Sequence, residues 1–427
     1  MPKKTLKPKH PFLRLLNYGN AYKAQTWQGV IYSILNKIFD LAPPVLIGAA
    51  VDVVVKKEDS LIAKFGIQDT FSQLLALAFL SLIVWSLESI FQYAYQRLWR
   101  NLAQNIQHNL RIEAYSHLQD LELAYFEERS TGNLMTILND DINQLERFLD
   151  VGANKIIQVT VTVIIIGSAF FVLVPSFALW AVLPMPFIIW ASTWFKKFLA
   201  PRYAEVREKV SLLNSQLSNN LSGITTIKSF TAETYEVERI TRNSNAYKSK
   251  NTKAIAFSAA FVPLIRIIIF IAFVATLLLG GLEAVDGRLA VGTYSIMVFL
   301  TQRLLWPLTS LGETLDLYQR SMASINRVMN LLDTPITIHP GGKPLSVEFI
   351  KGELELENVT FSYQKNFPII QNISMKIPAG KTIGIVGSTG SGKSTIVKLL
   401  LRFYEIQSGK ITLDGIEINQ INLQDLR

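Results

Sequence analysis

Long uncharged apolar runs are the feature that most limits what this chain can fold into. Two of them, residues 156–174 and 176–195, contain no charged side chain over 19 and 20 positions. A helix rises about 1.5 Å per residue, so roughly 20 such residues cross the hydrocarbon layer of a membrane. The runs predict six transmembrane helices, at residues 30–54, 74–95, 156–174, 176–195, 255–282 and 289–308. The first has a proline pair, Pro43-Pro44, which is expected to kink the helix and still permit a span.

Composition excludes several other classes of protein. Hydrophobic residues make up 49% of the 427, mean hydropathy is +0.27 and only 18% of residues are charged. These values argue against a disordered chain and against an ordinary cytosolic one. Cysteine is absent, which excludes disulfides, thiolate catalysis and cysteine-ligated metals. The four histidines are too scattered along the chain to predict a metal site.

The net charge of +9 follows membrane topology. The segments 1–26, 96–150 and 196–254 together hold 22 Lys and Arg, whereas the connections on the opposite side hold 4. The positive-inside rule therefore places both termini in the cytoplasm of a multi-pass protein of the inner or plasma membrane. Residues 1–26 form a basic segment, in which 11–25 has the pattern of a helix lying in the membrane surface. No basic groove with base-stacking aromatics is present, so nucleic acid is not an expected partner.

Tryptophans and loop lengths add detail to this membrane domain. Four tryptophans lie near predicted span ends, as interfacial anchors do: Trp27, Trp99, Trp194 and Trp306. The stretches 96–150 and 196–254 are too long for turns, and their apolar spacing of three and four indicates helices that extend beyond the membrane.

Charged side chains inside the predicted spans are candidates for function because they are costly to insert into a membrane. These candidates are Glu88, Arg266 and Arg303. Two interpretations stay open: the residues line a transport path, or they form structural pairs. Lys37 and Asp40 lie three apart on one helix face and are expected to neutralise each other.

The pattern changes after residue 332. Residues 333–350, with several Pro and Gly, are typical of a linker, and residues 351–427 have strand-like periodicity. Residues 382–386 are predicted to form a short buried strand that leads directly into a glycine-rich motif.

That motif is the phosphate-binding loop, which fits G-x-x-x-x-G-K-[ST]. Its residues are Gly387, Ser388, Thr389, Gly390, Ser391, Gly392, Lys393, Ser394 and Thr395. Glycines let successive N–H groups point at phosphate oxygens, and the following helix directs its positive end at the anion. Lys393 supplies a positive charge to the terminal phosphates, and the Ser394 hydroxyl is the expected ligand of Mg²⁺. The motif predicts a nucleotide-binding domain.

The chain as a whole resembles the ATP-binding cassette exporters of the half-transporter type. The resemblance rests on residues 361–363, 373–381, the phosphate-binding loop and 409–415, together with the six spans. It implies an all-α polytopic membrane domain at 27–332 followed by a partial α/β P-loop NTPase domain at 351–427. It also implies ATP and Mg²⁺ as cofactors and an adenine ring stacked on Tyr363. Short coupling helices that touch the nucleotide domains are implied at 121–132 and 222–233.

The resemblance implies an ATP hydrolase whose partner is a second half-transporter, with a homodimer favoured over a heterodimer. In the family, three elements come well after the phosphate-binding loop. They are the signature sequence, the acidic metal strand with its catalytic glutamate, and the switch histidine. The residues that follow the loop in this sequence do not extend as far as any of the three. We therefore expect a C-terminally truncated chain with no catalytic residue of its own and without hydrolytic activity by itself.

The expected function is ATP-driven export or flipping of a lipid, drug or other amphipathic molecule by alternating access of a dimer. Two alternatives stay open: a truncated, non-hydrolytic regulatory or assembly protein, and an ATP-gated channel on the same scaffold. The residues do not indicate which substrate is moved.

Overall fold

The computed structural model describes residues 10–60, 62–175, 182–345, 350–364 and 367–427. The chain divides into two compact units. The first comprises Met1–Leu16, Asn105–Leu145 and Met322–Arg427, and the second comprises Asn17–Gln104 and Glu146–Ser321. Nucleotide-domain residues therefore belong to one unit with part of the first long loop, a grouping that the sequence-based domain boundaries did not predict.

Fourteen of the described α-helices precede the sheet. Their bounds are α1 Pro11–Tyr18, α2 Lys23–Asp40, α3 Ala42–Lys56, α4 Thr70–Asp120, α5 Leu123–Glu127, α6 Thr131–Thr136, α7 Ile142–Arg147, α8 Ala153–Leu173, α9 Pro184–Ser222, α10 Ile224–Ser229, α11 Glu233–Ala259, α12 Phe261–Val285, α13 Val291–Leu305 and α14 Leu311–Leu332. Two π-helical turns, Ile137–Asp141 and Phe148–Gly152, interrupt the stretch from α6 to α8.

Four helical stretches of the described residues are long and apolar enough to cross a membrane. They are Pro11–Asp59, Thr70–Asp120, Thr131–Val172 and Glu233–Val285, and they contain the predicted spans 30–54, 74–95, most of 156–174, and 255–282. The fifth prediction, 176–195, begins with six residues that lie outside the described ones, and the sixth, 289–308, corresponds to the 15-residue α13 and a 3₁₀ turn. The helical membrane domain is confirmed, and the count of six spans stays a prediction.

The proline pair interrupts the helix, where the sequence analysis expected a kink. The helix α2 ends at Asp40, and α3 begins at Ala42 with Pro43 and Pro44 in its first turn. Proline is accepted in a first turn because the N–H groups there have no intrahelical partner. The pair therefore breaks the predicted span 30–54 into two helices.

A buried apolar cluster holds the membrane unit together. It draws on α8, α9, α12, α13 and the turn after α13, and its fully buried members include Ile166, Ile188, Ile265, Leu304 and Leu305. Burial of such side chains removes their apolar surface from the surroundings and fixes the helices at close-packed distances.

One tryptophan departs from its predicted role. Trp99, expected at a membrane interface, is only 4% exposed, and its indole N–H donates to Ser33 Oγ at 3.1 Å. Its ring also lies against Gly29, where a Cβ would meet indole atoms at 3.3 Å. The indole is buried because α2 offers both a hydroxyl acceptor and a glycine-sized gap, neither of which is visible from the position of Trp99 in the sequence.

The nucleotide portion is built on an antiparallel sheet of four described strands. They are β1 Leu354–Phe361, β2 Ile370–Ile377, β3 Ser408–Leu413 and β4 Ile416–Glu417, in the order β2-β1-β3-β4. Helix α15, Lys393–Leu400, packs on the sheet, and the short α16, Leu423–Leu426, ends the chain. The shared core consists of Leu356, Val359, Phe361, Ile370, Ile396, Leu399, Ile411, Ile418 and Ile421.

The predicted buried strand at 382–386 is wrong. The segment has no regular secondary structure, and its side chains are exposed, with Val386 at 93%. None of the described strands pairs with it, so its backbone has no ladder of hydrogen bonds to join. A short apolar run forms a strand only where neighbouring strands accept those bonds, and the four strands observed form their ladder elsewhere.

Candidate functional site

The phosphate-binding loop curls tightly ahead of α15. Gly390 and Gly392 adopt φ values of +86° and +88°, which L-residues with side chains rarely adopt. At Gly387 a Cβ would lie 2.7 Å from Ser391 Oγ, so a side chain there would displace the Ser391 hydroxyl. The glycines of the predicted motif are therefore the residues that this backbone path needs.

Lys393 reaches back across the loop from the first residue of α15. Its ammonium donates to the carbonyl oxygens of Gly387 and Ser388 at 2.8 and 2.7 Å. Among the described residues, no carboxylate forms an ion pair with it. The loop thus keeps a full positive charge at the start of a helix, beside backbone groups that already favour an anion.

Ser394 lies next, exposed in the first turn of α15, with a hydroxyl available as a hard oxygen donor. Within the described residues, no group of three or more His, Cys, Asp or Glu could hold a metal ion. A single hydroxyl fits Mg²⁺ that arrives on nucleotide phosphates, because Mg²⁺ keeps most of its ligands as water and phosphate oxygens.

The structure brings Tyr363 to the phosphate-binding loop. Its hydroxyl donates to Thr395 Oγ1 at 3.1 Å, and its ring meets those of Tyr404 and Phe361 edge-on, with centroids 5.0 and 4.9 Å away. Tyr363 remains 42% exposed. The side chain is fixed at its tip and edges and keeps a surface on which a flat ring can stack.

Helix α5 of the first long loop contacts this site through one carboxylate. Glu127 accepts hydrogen bonds from Lys398 Nζ at 2.6 Å and from the Tyr404 hydroxyl. The bonds from Lys398 and then Tyr404 hold the pKa of Glu127 below its ordinary value. The same pair raises the pKa of Lys398, and burial followed by the bond to Glu127 raises the pKa of Tyr404. The predicted contact between 121–132 and the nucleotide portion is therefore present as a charged hydrogen-bond network.

A second network joins the same loop to α14. The carboxylate of Asp141, which is 3% exposed, lies in the first π-helical turn. It accepts bonds from Arg327 Nε and Nη2 at 2.7 and 2.5 Å and from Ser324 Oγ at 2.8 Å. The sequence analysis missed this pair, and no local signal could have found it because the partners are 186 residues apart.

The other predicted loop helix is also present. Residues 222–233 contain α10, Ile224–Ser229, which has no buried residue, and the following Phe230 is 77% exposed. Lys228 forms an ion pair with Glu233 at 2.9 Å across the end of this helix.

Two of the three intramembrane candidates line one cavity of the membrane unit. Arg266 and Arg303 line it, and Glu88 of α4 lies close enough to Arg303 to interact electrostatically. Asp40 forms ion pairs at 2.6 Å with both Arg303 and Lys37, so the predicted Lys37–Asp40 pairing is confirmed. Arg303 thus has a structural partner, whereas Arg266 contacts the face of Trp306, with its guanidinium carbon 5.4 Å from the ring centroid.

Comparison with known proteins matches the membrane portion and the nucleotide portion of the chain to one family each. Residues 27–308 match the family described as ABC transporter transmembrane region, and residues 370–427 match the family described as ABC transporter. The chain is 24% identical to the uncharacterised ABC transporter ATP-binding protein YwjA of Bacillus subtilis, over 97% of this chain and 70% of that protein.

Two of the relatives whose names state a function come from Aliivibrio fischeri and Mycobacterium bovis. The chain is 27% identical to the ATP-dependent lipid A-core flippase of Aliivibrio fischeri, over 97% of this chain and 69% of the relative. It is also 27% identical to the fatty acid ABC transporter ATP-binding/permease protein of Mycobacterium bovis, over 82% of this chain and 55% of that protein.

Proposed function

This chain belongs to the ABC transporters, as a half-transporter of the exporter type, and on that premise we propose that it uses ATP to move an amphipathic molecule across the membrane. The observation that supports the proposal most strongly is the phosphate-binding loop. The loop contains Lys393 and has Tyr363 beside it, in a chain whose residues 27–308 match the transporter membrane region. The relatives from Aliivibrio fischeri and Mycobacterium bovis are named for lipid A-core and for fatty acid, which favours an amphipathic substrate.

Nucleotide binding follows from the residues of the loop. The carbonyl oxygens that hold Lys393 are weaker partners than a charged phosphate, so its ammonium can turn from them to the terminal phosphates of ATP. The N–H groups of the glycine-rich turn hold the remaining phosphate oxygens. Tyr363, fixed by its bond to Thr395, is positioned to stack on adenine. Mg²⁺, held by Ser394 and the phosphates, would supply further charge neutralisation.

The network around Glu127 is the proposed route from nucleotide to membrane helices. Lys398 lies on α15, the helix whose first residue is Lys393, and α5 follows directly on the long α4. A shift of α15 on binding ATP would be transmitted through the Lys398–Glu127 pair to α5, because Lys398 and Tyr404 each hold one oxygen of the Glu127 carboxylate. Asp141 and Arg327 would keep the same loop attached to α14.

We further propose that two half-transporters work together, with a homodimer favoured. The surface of α10 and Phe230 is exposed in this chain and fits a contact with the partner. Six spans per chain, with both termini in the cytoplasm, are part of the same proposal. The two nucleotide domains would close on ATP and the spans would alternate between inward-facing and outward-facing states.

The proposal separates binding from hydrolysis. Hydrolysis needs a positioned water and a group that orients it, and the loop residues described above supply neither. We propose that these 427 residues bind ATP without hydrolysing it by themselves.

The test is ATP binding by the purified chain in detergent micelles or nanodiscs, measured by isothermal titration with Mg²⁺. We expect Lys393→Ala to lower the affinity about a hundredfold, because a charged contact to phosphate is lost. The control is Lys410→Ala, a lysine of the same portion that is paired with Glu357 at 2.9 Å. Equal affinity of the Lys393→Ala variant and the unaltered chain would contradict the proposal.

A further inference from the structure

The cavity of the membrane unit has a volume of about 830 Å³. That lies in the range of sites that hold small molecules, which is roughly 300–1,000 Å³. Its polar lining includes Lys37, Gln302 and Arg303, and its apolar lining includes Trp85 and Phe270. A site with a cationic side and an aromatic side suits a ligand that is itself amphipathic.

The charges around this cavity do not cancel. Lys37 and Arg303 share the carboxylate of Asp40, and Glu88 interacts electrostatically with all three. These four side chains form a set with two positive and two negative groups. Arg266 comes in addition, on α12, and no carboxylate of the described residues forms an ion pair with it.

Arg266 is therefore the excess charge of the cavity. Its guanidinium lies over the face of Trp306, which attracts a cation without neutralising it. A guanidinium held in this way keeps its N–H donors directed at other acceptors, and these donors match the two oxygens of a phosphate or carboxylate. An unpaired arginine in a membrane segment is unfavourable unless something compensates it, and an anion inside the cavity would do so.

We propose that this cavity binds the anionic headgroup of a membrane amphipath, with Arg266 as the residue that recognises the charge and the aromatic wall holding the adjoining acyl chain. The inference deepens the proposed function, on which it rests, by naming the class of molecule that is moved. Charge complementarity excludes a cationic amphipath, which Arg266 would repel. A zwitterionic lipid would bind more weakly, because its own cation already balances the charge of its phosphate.

The experiment compares two lipids that differ in headgroup charge. Phosphatidylglycerol and phosphatidylcholine are titrated into the purified chain in neutral detergent without nucleotide, and bound lipid is counted by native mass spectrometry. We expect phosphatidylglycerol to bind about tenfold more tightly than phosphatidylcholine, and Arg266→Gln to reduce that preference to less than about threefold. Arg266→Lys keeps the charge and should retain most of the preference.

The matched control is Arg202→Gln. Arg202 also lies over aromatic rings, 3.8 Å from the centroid of Phe198, but it does not line the cavity. The Arg202→Gln variant should keep the preference for phosphatidylglycerol unchanged. Inorganic phosphate should not displace the bound lipid, because phosphate has no acyl chain. Thermal unfolding of each variant in detergent shows whether the membrane unit is folded, and ATP binding tests the proposed function separately.

Three results would overturn the inference while ATP binding persists. The unaltered chain could show no preference for phosphatidylglycerol, or Arg202→Gln could reduce the preference as much as Arg266→Gln. A second copy of the chain could also cover the cavity, in which case Arg266→Gln would change the oligomeric mass and no lipid preference would be seen.

Discussion

The nucleotide portion and the membrane unit each contain a cation that meets no carboxylate among the described residues. In the nucleotide portion this is Lys393, which is held by two carbonyl oxygens of its own loop. In the membrane unit it is Arg266, which lies over Trp306. Each has a paired neighbour for comparison: Lys398 forms an ion pair with Glu127, and Arg303 forms one with Asp40.

Cations that are paired with a carboxylate stabilise the fold, whereas the unpaired cations are available to bind a ligand. A cation whose charge is already matched holds two elements together, as Lys398 and Arg303 do, and gains little from a further anion. A cation held only by carbonyl dipoles or an aromatic face is positioned without being neutralised. The two unpaired sites also differ from each other: a compact glycine turn suits phosphates, and a wide aromatic cavity suits an amphipath.

The largest expected effect is on stability and concerns a paired cation. Asp141→Ala removes the carboxylate that holds Arg327 and Ser324, and we expect it to lower the stability of the folded chain by about 2–3 kcal/mol. The exposed neighbour Asp140 provides the control, as Asp140→Ala. The measurement is thermal unfolding in detergent followed by circular dichroism. A melting temperature unchanged by Asp141→Ala would mean that the paired cation is not structural.

The next largest effect is on ATP affinity and concerns the nucleotide site. Tyr363→Ala removes the ring proposed to stack on adenine and should lower ATP affinity about tenfold, since stacking of a base on an aromatic side chain contributes about 1–3 kcal/mol. Tyr363→Phe keeps the ring and loses only the bond to Thr395, so its affinity should stay within about threefold. Competition with a fluorescent ATP analogue measures both variants, and equal losses would show that stacking is not the ring's role.

The smallest effect concerns the Lys398–Glu127 pair and its dependence on pH. The pKa of Glu127 lies below its ordinary value of 4.5, mainly because Lys398 donates to it. A carboxyl with a depressed pKa contributes its stability above the ordinary value and loses it as the pH falls through the depressed one. We expect the protection of the α5 amides against hydrogen exchange, relative to the intrinsic rate at each pH, to fall below about pH 4.5 in the unaltered chain.

Glu127→Gln should remove that pH dependence. The exchange rate of α5 at neutral pH should rise only slightly, because a half-exposed pair contributes less than about 1 kcal/mol. If the protection of α5 in the Gln variant still fell below about pH 4.5, another group would be responsible for the acid sensitivity of α5.

The features that could be predicted from the sequence are those determined by residues close together in the chain. The phosphate-binding loop and the apolar helices are set by residues adjacent in the chain, and the structure contains them. The position of the helix distortion at Pro43-Pro44 was also predictable, although it is a break and not the expected kink. The Lys37–Asp40 pair lies within one helix turn and was predictable for the same reason.

What depends on distant partners was not predictable. The strand expected at 382–386 failed because its formation depends on neighbouring strands, and the burial of Trp99 depends on a gap at Gly29 of another helix. The pairs Asp141–Arg327 and Arg303–Asp40 join residues 186 and 263 positions apart. Sequence analysis singled out Arg266 and Arg303 equally, and only the structure shows that one is paired and the other is not.

Binding of both ligands by both variants measures the central claim most directly. ATP and phosphatidylglycerol are titrated separately into the unaltered chain, Lys393→Ala and Arg266→Gln. The account predicts that Lys393→Ala loses ATP affinity and keeps lipid binding, and that Arg266→Gln loses the lipid preference and keeps ATP affinity. If either variant bound both ligands as the unaltered chain does, that unpaired cation would not be a recognition residue.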